Sequence, residues 1–145
     1  MRRRWGWWLA LGLGAIAPVF AQGPLTPAAP VTGTIYNGTT PILPRYCVID
    51  EATSGQNEVV AAVAGNKIRF LAGHITMTGT STTIQFQNGI AGTPLTGAMQ
   101  PLQGHTIPWP FNPAGWFETT TGQPLQIALG AAQSIDGSCV YALIP

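Results

Sequence analysis

The stretch that decides the fold is residues 110–140, which reads PFNPAGWFETTTGQPLQIALGAAQSIDGSCV. Two turn clusters, NPAG at 112–115 and DG at 136–137, enclose apolar residues that alternate with polar ones. Alternation of this kind between turn signals is typical of antiparallel strands with one buried face. The clearest case predicts that Leu125, Ile127 and Leu129 point inward. A last strand is predicted after the DG turn, over residues 139–144.

Strand patterns continue on the N-terminal side of this stretch. A first strand at residues 45–50 has Tyr46 and Val48 on one face and Cys47 and Ile49 on the other. Further strands are predicted at residues 58–64, 67–78, 82–88, 93–98 and 105–111. Short, regularly spaced strands without a convincing helix predict an all-β fold, an antiparallel β-sandwich spanning residues 45–145.

Local signals predict irregularities in these strands. The run at 58–64 is expected to end in a tight turn at Gly65-Asn66, and residues 82–88 end in the hairpin signal Asn88-Gly89. The apolar phase of the 67–78 strand shifts near Gly73, which predicts a bulge there. Prolines place residues 93–98 and 105–111 at sheet edges or along a rim.

Two segments precede the predicted sandwich. Residues 1–21 combine Arg2, Arg3 and Arg4 with an apolar run and a small-residue cleavage signal ending at Ala21, which indicates a secretory signal peptide. An uncleaved N-terminal anchor is the alternative. Residues 22–44 are rich in proline and threonine and poor in large apolar residues, so we expect an extended arm or linker.

Charge limits the partners of the mature chain. Without residues 1–21, three basic side chains remain against five acidic ones, a net charge of −2. This balance argues against a nucleic-acid partner. Charged residues make up only 8% of the whole chain, against roughly 25% in average domains. A surface of Thr, Gln, Ser and Asn suits stable assembly or contact with carbohydrate, and no membrane span is expected once the signal peptide is removed.

The two cysteines, Cys47 and Cys139, fall near the starts of the first and last predicted strands. Export exposes a protein to an oxidising compartment, so a disulfide between these strands is the favoured interpretation. Two free buried thiols are the alternative.

Candidate catalytic groups are scattered along the chain. Ser138 could be combined with His74 or His105 and Asp136, yet DGS at 136–138 is better explained as a hairpin turn. The two histidines lack the short spacing of zinc ligands, so neither metal nor cofactor is predicted. Glu118 lies beside aromatic residues, whereas glycoside hydrolysis normally needs two carboxylates. No catalytic residue is therefore assigned.

The aromatic side chains are more informative. Trp109, Phe111, Trp116 and Phe117 lie within a few residues of one another on loop-rich backbone. They could cap the sandwich core, form the apolar centre of a subunit contact, or stack on a sugar. These three interpretations stay open at the level of sequence.

From residue 58 onward, VVAAVAGNKIRFL, IQFQNG, LTGAM, PFNPAGWFETTTGQPLQIAL and GSCVY resemble small β-sandwich proteins encoded in phage and prophage genomes. This resemblance covers about two thirds of the chain. It implies a jelly-roll-like fold, a virion-surface or tail-associated structural role and a homotrimer, and it transfers no catalytic residue. The signal peptide and the cysteines depart from that pattern, because virion proteins assemble in the cytoplasm.

The sequence thus predicts a non-enzymatic, secreted or surface-exposed structural or adhesive module in a homo-oligomeric, phage-like assembly. A carbohydrate-binding module using Trp109 and Trp116 is the first alternative. A secreted hydrolase relying on Glu118 or Ser138 is the second.

Overall fold

The computed structural model describes residues 34–145, so the predicted signal peptide and most of the arm lie outside the described residues. The described chain contains strands and no helix. In chain order the strands are β1 (Ile35–Asn37), β2 (Thr40–Ile42), β3 (Arg45–Glu51), β4 (Gly55–Val60), β5 (Lys67–Met77), β6 (Ile84–Asn88), β7 (Thr93–Pro94), β8 (Thr106–Trp109), β9 (Phe117–Glu118), β10 (Leu125–Leu129) and β11 (Ile135–Ile144).

Two antiparallel sheets enclose the main core. One has the order β3-β11-β5-β8, with β9 also paired to β5, and the other has the order β4-β10-β6-β7. The chain passes repeatedly from one sheet to the other, and consecutive strands such as β3, β4 and β5 belong to alternate sheets. The nine strands of these two sheets, connected in this way, form a jelly-roll-like sandwich. The predicted antiparallel, jelly-roll-like sandwich is confirmed.

The core lies between the sheets and follows the two-residue period of the strands. Leu125, Ile127 and Leu129 of β10 are all buried, as the alternation predicted. They meet buried side chains from the facing sheet, among them Phe70 and Ile135. Each fully buried residue of this size contributes about 1.5–3 kcal/mol relative to exposure, so the alternating pattern supplies most of the driving force for closing the sandwich.

The long strand β5 contains the predicted irregularity, two residues earlier than expected. Val140 of β11 pairs with Ala72 and Tyr141 pairs with Phe70, which leaves Leu71 as the extra residue. The bulge reverses the phase of β5, so Phe70 before it and Ile75 after it both reach the core. Leu71 itself points to the other side of the sheet, where it is fully buried.

Gly73 has a different role from the one predicted. A Cβ atom at this position would lie 2.7 Å from the ring of Phe70 and 2.7 Å from the carbonyl oxygen of Ser138. Glycine is needed here because the Phe70 ring occupies the space of a side chain.

The arm expected at residues 22–44 is partly structured. From Ile35 to Ile42 the chain forms a hairpin, β1 paired with β2, instead of an extended linker. Ile35 and Ile42 are buried against Leu71, Ala142 and Ile144 on the outer side of the five-stranded sheet. The sequence indicated no packing because Ile35 and Ile42 are its only large buried residues, and the surface that receives them is created by the distant β5 bulge.

One expected turn and the bounds of one expected strand are also corrected. Asp136-Gly137 is not a turn but part of β11, where Asp136 pairs with Asp50 and Thr76. Gly137 is required by a close approach of backbones, since a Cβ there would meet the carbonyl oxygen of His74. The strand predicted at residues 58–64 runs instead over Gly55–Val60.

The turn at Gly65-Asn66 exists, with the amide of Asn66 donating to the carbonyl of Val63 at 3.0 Å. It joins β4 and β5, which belong to different sheets, so it does not close a hairpin.

The disulfide between Cys47 and Cys139 is confirmed. The two residues are direct partners in the register of β3 and β11, with Cα atoms 5.0 Å apart. Cys139 is buried in the core and Cys47 packs against it. The bond therefore fixes the edge strand β3 to the centre of the five-stranded sheet.

Replacing both Cys47 and Cys139 by alanine is expected to lower the free energy of unfolding by about 4.5 kcal/mol. The reason is that the bond closes a loop with a sequence separation of 92 residues, which restricts the unfolded chain. Equilibrium unfolding in urea of the oxidised protein and the double variant measures the difference. Equal unfolding free energies would contradict a stabilising disulfide.

Candidate functional site

The aromatic segment lies at one rim of the sandwich, where the chain leaves β8 and returns in β9. Both strands pair with β5: Trp109 lies opposite Gly73, and Phe117 lies opposite Phe70. The intervening loop is tied to the same strand. The amide of Asn112 donates to the Leu71 carbonyl at 2.8 Å. At the other end of the loop, the amide of Trp116 donates to the Phe70 carbonyl at 2.9 Å. The loop is thus held at both ends.

Trp109 and Phe117 are partly buried and pack against the core. The ring of Phe117 stacks on Phe70 with centroids 4.7 Å apart and lies 5.0 Å from Phe86. Trp109 makes edge contacts with the same two phenylalanines, at 5.8 and 5.6 Å. Pairs of this geometry add about 0.5–1.5 kcal/mol each beyond area burial. Because Phe70 and Phe86 come from opposite sheets, the cluster joins the two layers.

Phe111 and Trp116 face solvent. Phe111 is 56% exposed and Trp116 is 48% exposed. The indole nitrogen Nε1 of Trp116 donates to the carbonyl oxygen of Pro110 at 2.8 Å, which fixes the orientation of the ring. The structure therefore divides the four predicted contact residues into a partly buried pair that packs against the core and an exposed pair.

The loop that carries the exposed pair is closed by Asn112, as the NPAG signal predicted. Its side-chain nitrogen Nδ2 donates to the carbonyl of Gly115 at 2.8 Å, and its Oδ1 accepts from the amide of Ala114 at 3.0 Å. Gly115 has a φ of 87°, and its Cα faces the aliphatic part of Arg69 with no space for a side chain. Local side-chain bonds of this type stabilise a turn against alternative backbone conformations.

The carboxylate of Glu118 is paired with basic side chains of β5. Its Oε1 accepts from Nε of Arg69 at 2.7 Å and lies 2.6 Å from Nη2, while Oε2 is 4.0 Å from Nζ of Lys67. Nη2 of Arg69 also donates to Oδ1 of Asn37 at 3.0 Å. Arg69 thereby connects β9 and the β1–β2 hairpin to β5. The carboxylate considered for catalysis is engaged in this network.

Ser138 and His74 are adjacent on the outer face of the five-stranded sheet. They are register partners in β11 and β5, and Ser138 Oγ lies 3.4 Å from His74 Nδ1. This distance exceeds the 2.6–3.2 Å typical of a nucleophile and its base. Asp136 lies on the same face one side-chain repeat along β11, whereas His105 precedes β8. Among the described residues no group of three or more His, Cys, Asp or Glu side chains could hold a metal ion.

The sequence interpretation missed the second exposed apolar site, on β3. Tyr46 and Val48 were assigned to one face, and the structure shows that this face is the solvent side, with exposures of 82% and 76%. The alternation alone could not tell the two faces apart, because Cys47 and Ile49 are equally apolar. Within residues 34–145 no helix of membrane-spanning length and hydropathy occurs.

Comparison with known proteins gives little similarity. No family model matches the chain, and no curated protein matches it. A similar solved structure is a chain from Bacillus endospore appendages, described as a family of disulfide-linked pili. It is 18% identical, covers 71% of this chain and 87% of its own length, and has a TM-score of 0.46. The fold assignment therefore rests on this chain's own strand order and register.

The neighbouring aromatic residues should respond differently to truncation. We expect Phe117→Ala to lower the free energy of unfolding by about 3 kcal/mol, because it removes a ring that packs on both Phe70 and Phe86. Trp116→Ala should cost about 1 kcal/mol or less, since its ring is half exposed. Urea unfolding of both variants makes the comparison. A larger loss for Trp116→Ala would place that ring in the core instead.

Proposed function

We propose that this protein is an exported, non-enzymatic structural or adhesive surface module that works as part of a homo-oligomeric assembly. The observation that carries this proposal is the number of large apolar side chains left in solvent around a well-filled core. Nine such residues are exposed in the described chain: Tyr36, Leu43, Tyr46, Val48, Val63, Ile90, Leu102, Phe111 and Trp116. Exposed apolar groups of this kind mark contact surfaces when they are grouped.

Two groups stand out among these residues. One is the rim pair, Phe111 and Trp116, whose supporting loop is held by hydrogen bonds. The other is Tyr46 with Val48 on β3, which the disulfide of Cys47 holds in place. Rigid apolar groups lose little conformational entropy when they are buried by a partner, and this favours association.

Export is supported by the disulfide and by the predicted signal peptide. Structural disulfides persist in oxidising compartments, such as the periplasm and the cell surface. A role on a phage-like particle rests on the sequence resemblance, as does the trimeric stoichiometry. The scarcity of charge, 8% of the whole chain, suits a surface that is covered in an assembly.

A carbohydrate-binding module is the second candidate, and the exposed ring of Trp116 favours it. Trp109 is less suited to such a platform, because its ring is partly buried and packs against Phe70 and Phe86. Binding on a glycan array that is lost in Trp116→Ala and retained in Tyr36→Ala, which removes an exposed aromatic group elsewhere, would favour this candidate.

Light scattering of the exported protein tests the favoured proposal. We expect a molar mass of more than one copy, because the exposed apolar groups are buried on association. The mass also gives the number of copies, for which the resemblance predicts three. A monomer over a wide range of protein concentration would contradict the proposal.

A further inference from the structure

The strand β3 forms an open edge of the five-stranded sheet. It pairs with β11 on one side, and β3 ends the strand order of that sheet on the other. An edge strand presents backbone donors and acceptors that can pair with another chain. Tyr46 and Val48 extend this edge with exposed apolar side chains on the outer face.

The edge strands β4, β7 and β8 are each very short or interrupted by a proline or a bulge, and β3 has none of these features. β7 consists of two residues, one of them Pro94, and β8 contains Pro108. In β4 the register with β10 shifts, which leaves Val59 as a bulge. Short strands, prolines and bulges are among the features by which proteins block edge-to-edge contact, and so are charged side chains. In β3 the charged residues stand at the two ends of the strand. β3 has seven residues, no proline and a continuous register with β11.

We propose that two copies of this chain join edge to edge through β3, in antiparallel register centred on Val48. The sequence of β3, RYCVIDE, is complementary to itself in this register. Arg45 lies opposite Glu51 of the second copy, and Val48 lies opposite its counterpart. The proposal rests on the homo-oligomeric assembly proposed above and names the surface that forms it.

The charges of β3 select this register. In it the guanidinium of Arg45 faces a carboxylate at each end of the paired strands. A shift by two residues places Arg45 opposite Ile49, or places Glu51 opposite Cys47, so both charge pairs are lost. A shift by one residue would place outward side chains opposite inward ones, which the pleat forbids. Opposite charges directly across an antiparallel pair are favourable, and like charges are unfavourable.

In a single copy, Arg45 and Glu51 have no partner of opposite charge within the described residues. The ion pairs there, at 4.0 Å or less, are those of Lys67 and Arg69 with Glu118. Burial, and then the neighbouring carboxylate of Asp50, raise the pKa of Glu51 above its usual value. A guanidinium from a second copy would offset both effects.

The contact closes at two copies. A two-fold axis through the centre of the paired strands uses the same surface on both subunits, so no free β3 edge remains. The two sheets become one continuous sheet, in which main-chain hydrogen bonds supply affinity and the side-chain pairs supply specificity. By this contact alone the assembly is a dimer, and a trimer would need a different surface.

Charge exchange tests the proposal on the full exported chain. Arg45→Glu and Glu51→Arg each place like charges opposite one another at both ends of the interface. Each variant alone should dimerise about tenfold more weakly than the wild type in sedimentation velocity. An equimolar mixture of the two variants should regain dimerisation, because every charged pair then has opposite signs. Glu58→Arg, on the protected edge strand β4, is the matched control and should behave as the wild type.

The outcomes separate this inference from the broader proposal. If the wild type and both charge variants associate equally well, the β3 contact is overturned and the proposed assembly stands. A wild-type monomer at every concentration overturns both. Weakened single variants that are not restored by mixing overturn the register centred on Val48. Circular dichroism of each variant verifies that the fold is retained. A variant that fails this test is replaced by Arg45→Gln, which removes the charge without reversing it. Its loss of dimer affinity relative to the wild type should be smaller and should vanish at high salt.

Discussion

The rest of the structure depends on the aromatic contact between the two sheets. Phe70 of one layer and Phe86 of the other lie 5.3 Å apart, and Trp109 and Phe117 complete the cluster. To hold Phe70 there, β5 lacks a side chain at Gly73 and has a bulge at Leu71. The bulge also turns Leu71 outward, where it creates the surface that the β1–β2 hairpin covers. One bulge in β5 thus serves both the core, through Phe70, and the packing of the N-terminal hairpin, through Leu71.

The exposed apolar side chains are carried by backbone segments that are held rigidly. The strand β11 lies between β3 and β5, and its Cys139 is bonded to Cys47 of the edge strand. At the rim, Asn112 and the hydrogen bonds to β5 hold the loop that exposes Phe111 and Trp116. In both places a well-fixed backbone presents apolar side chains to solvent. Such pre-organised surfaces suit binding, since little freedom remains to be lost on association.

Much of the fold could be predicted from the sequence, because its signals are local. The two-residue alternation of Leu125, Ile127 and Leu129, and the NPAG turn, act within a few residues. The predictions that were wrong concern residues whose structure depends on partners distant in sequence. Gly137 resembles a turn glycine, yet it is required by the carbonyl of His74 on β5. The hairpin at Ile35–Ile42 needs a surface supplied by Leu71 and by the last strand. For the candidate site, the sequence showed only that the four rim aromatics lie close together along the chain. Which rings pack against the core depends on the pairing of β8 and β9 with β5, and this pairing is not a local signal. The open edge at β3 follows from the strand order, which local patterns do not contain.

In solution the edge of β3 is either free or paired with a second copy. Hydrogen exchange over a dilution series measures this directly, residue by residue, on the unmodified exported protein. We expect amides within Arg45–Glu51 to become more protected as concentration rises, whereas amides in β4, whose edge is interrupted by a bulge, keep a constant exchange rate. Exchange in Arg45–Glu51 that is independent of concentration, at concentrations where the protein is oligomeric, would contradict pairing through this edge.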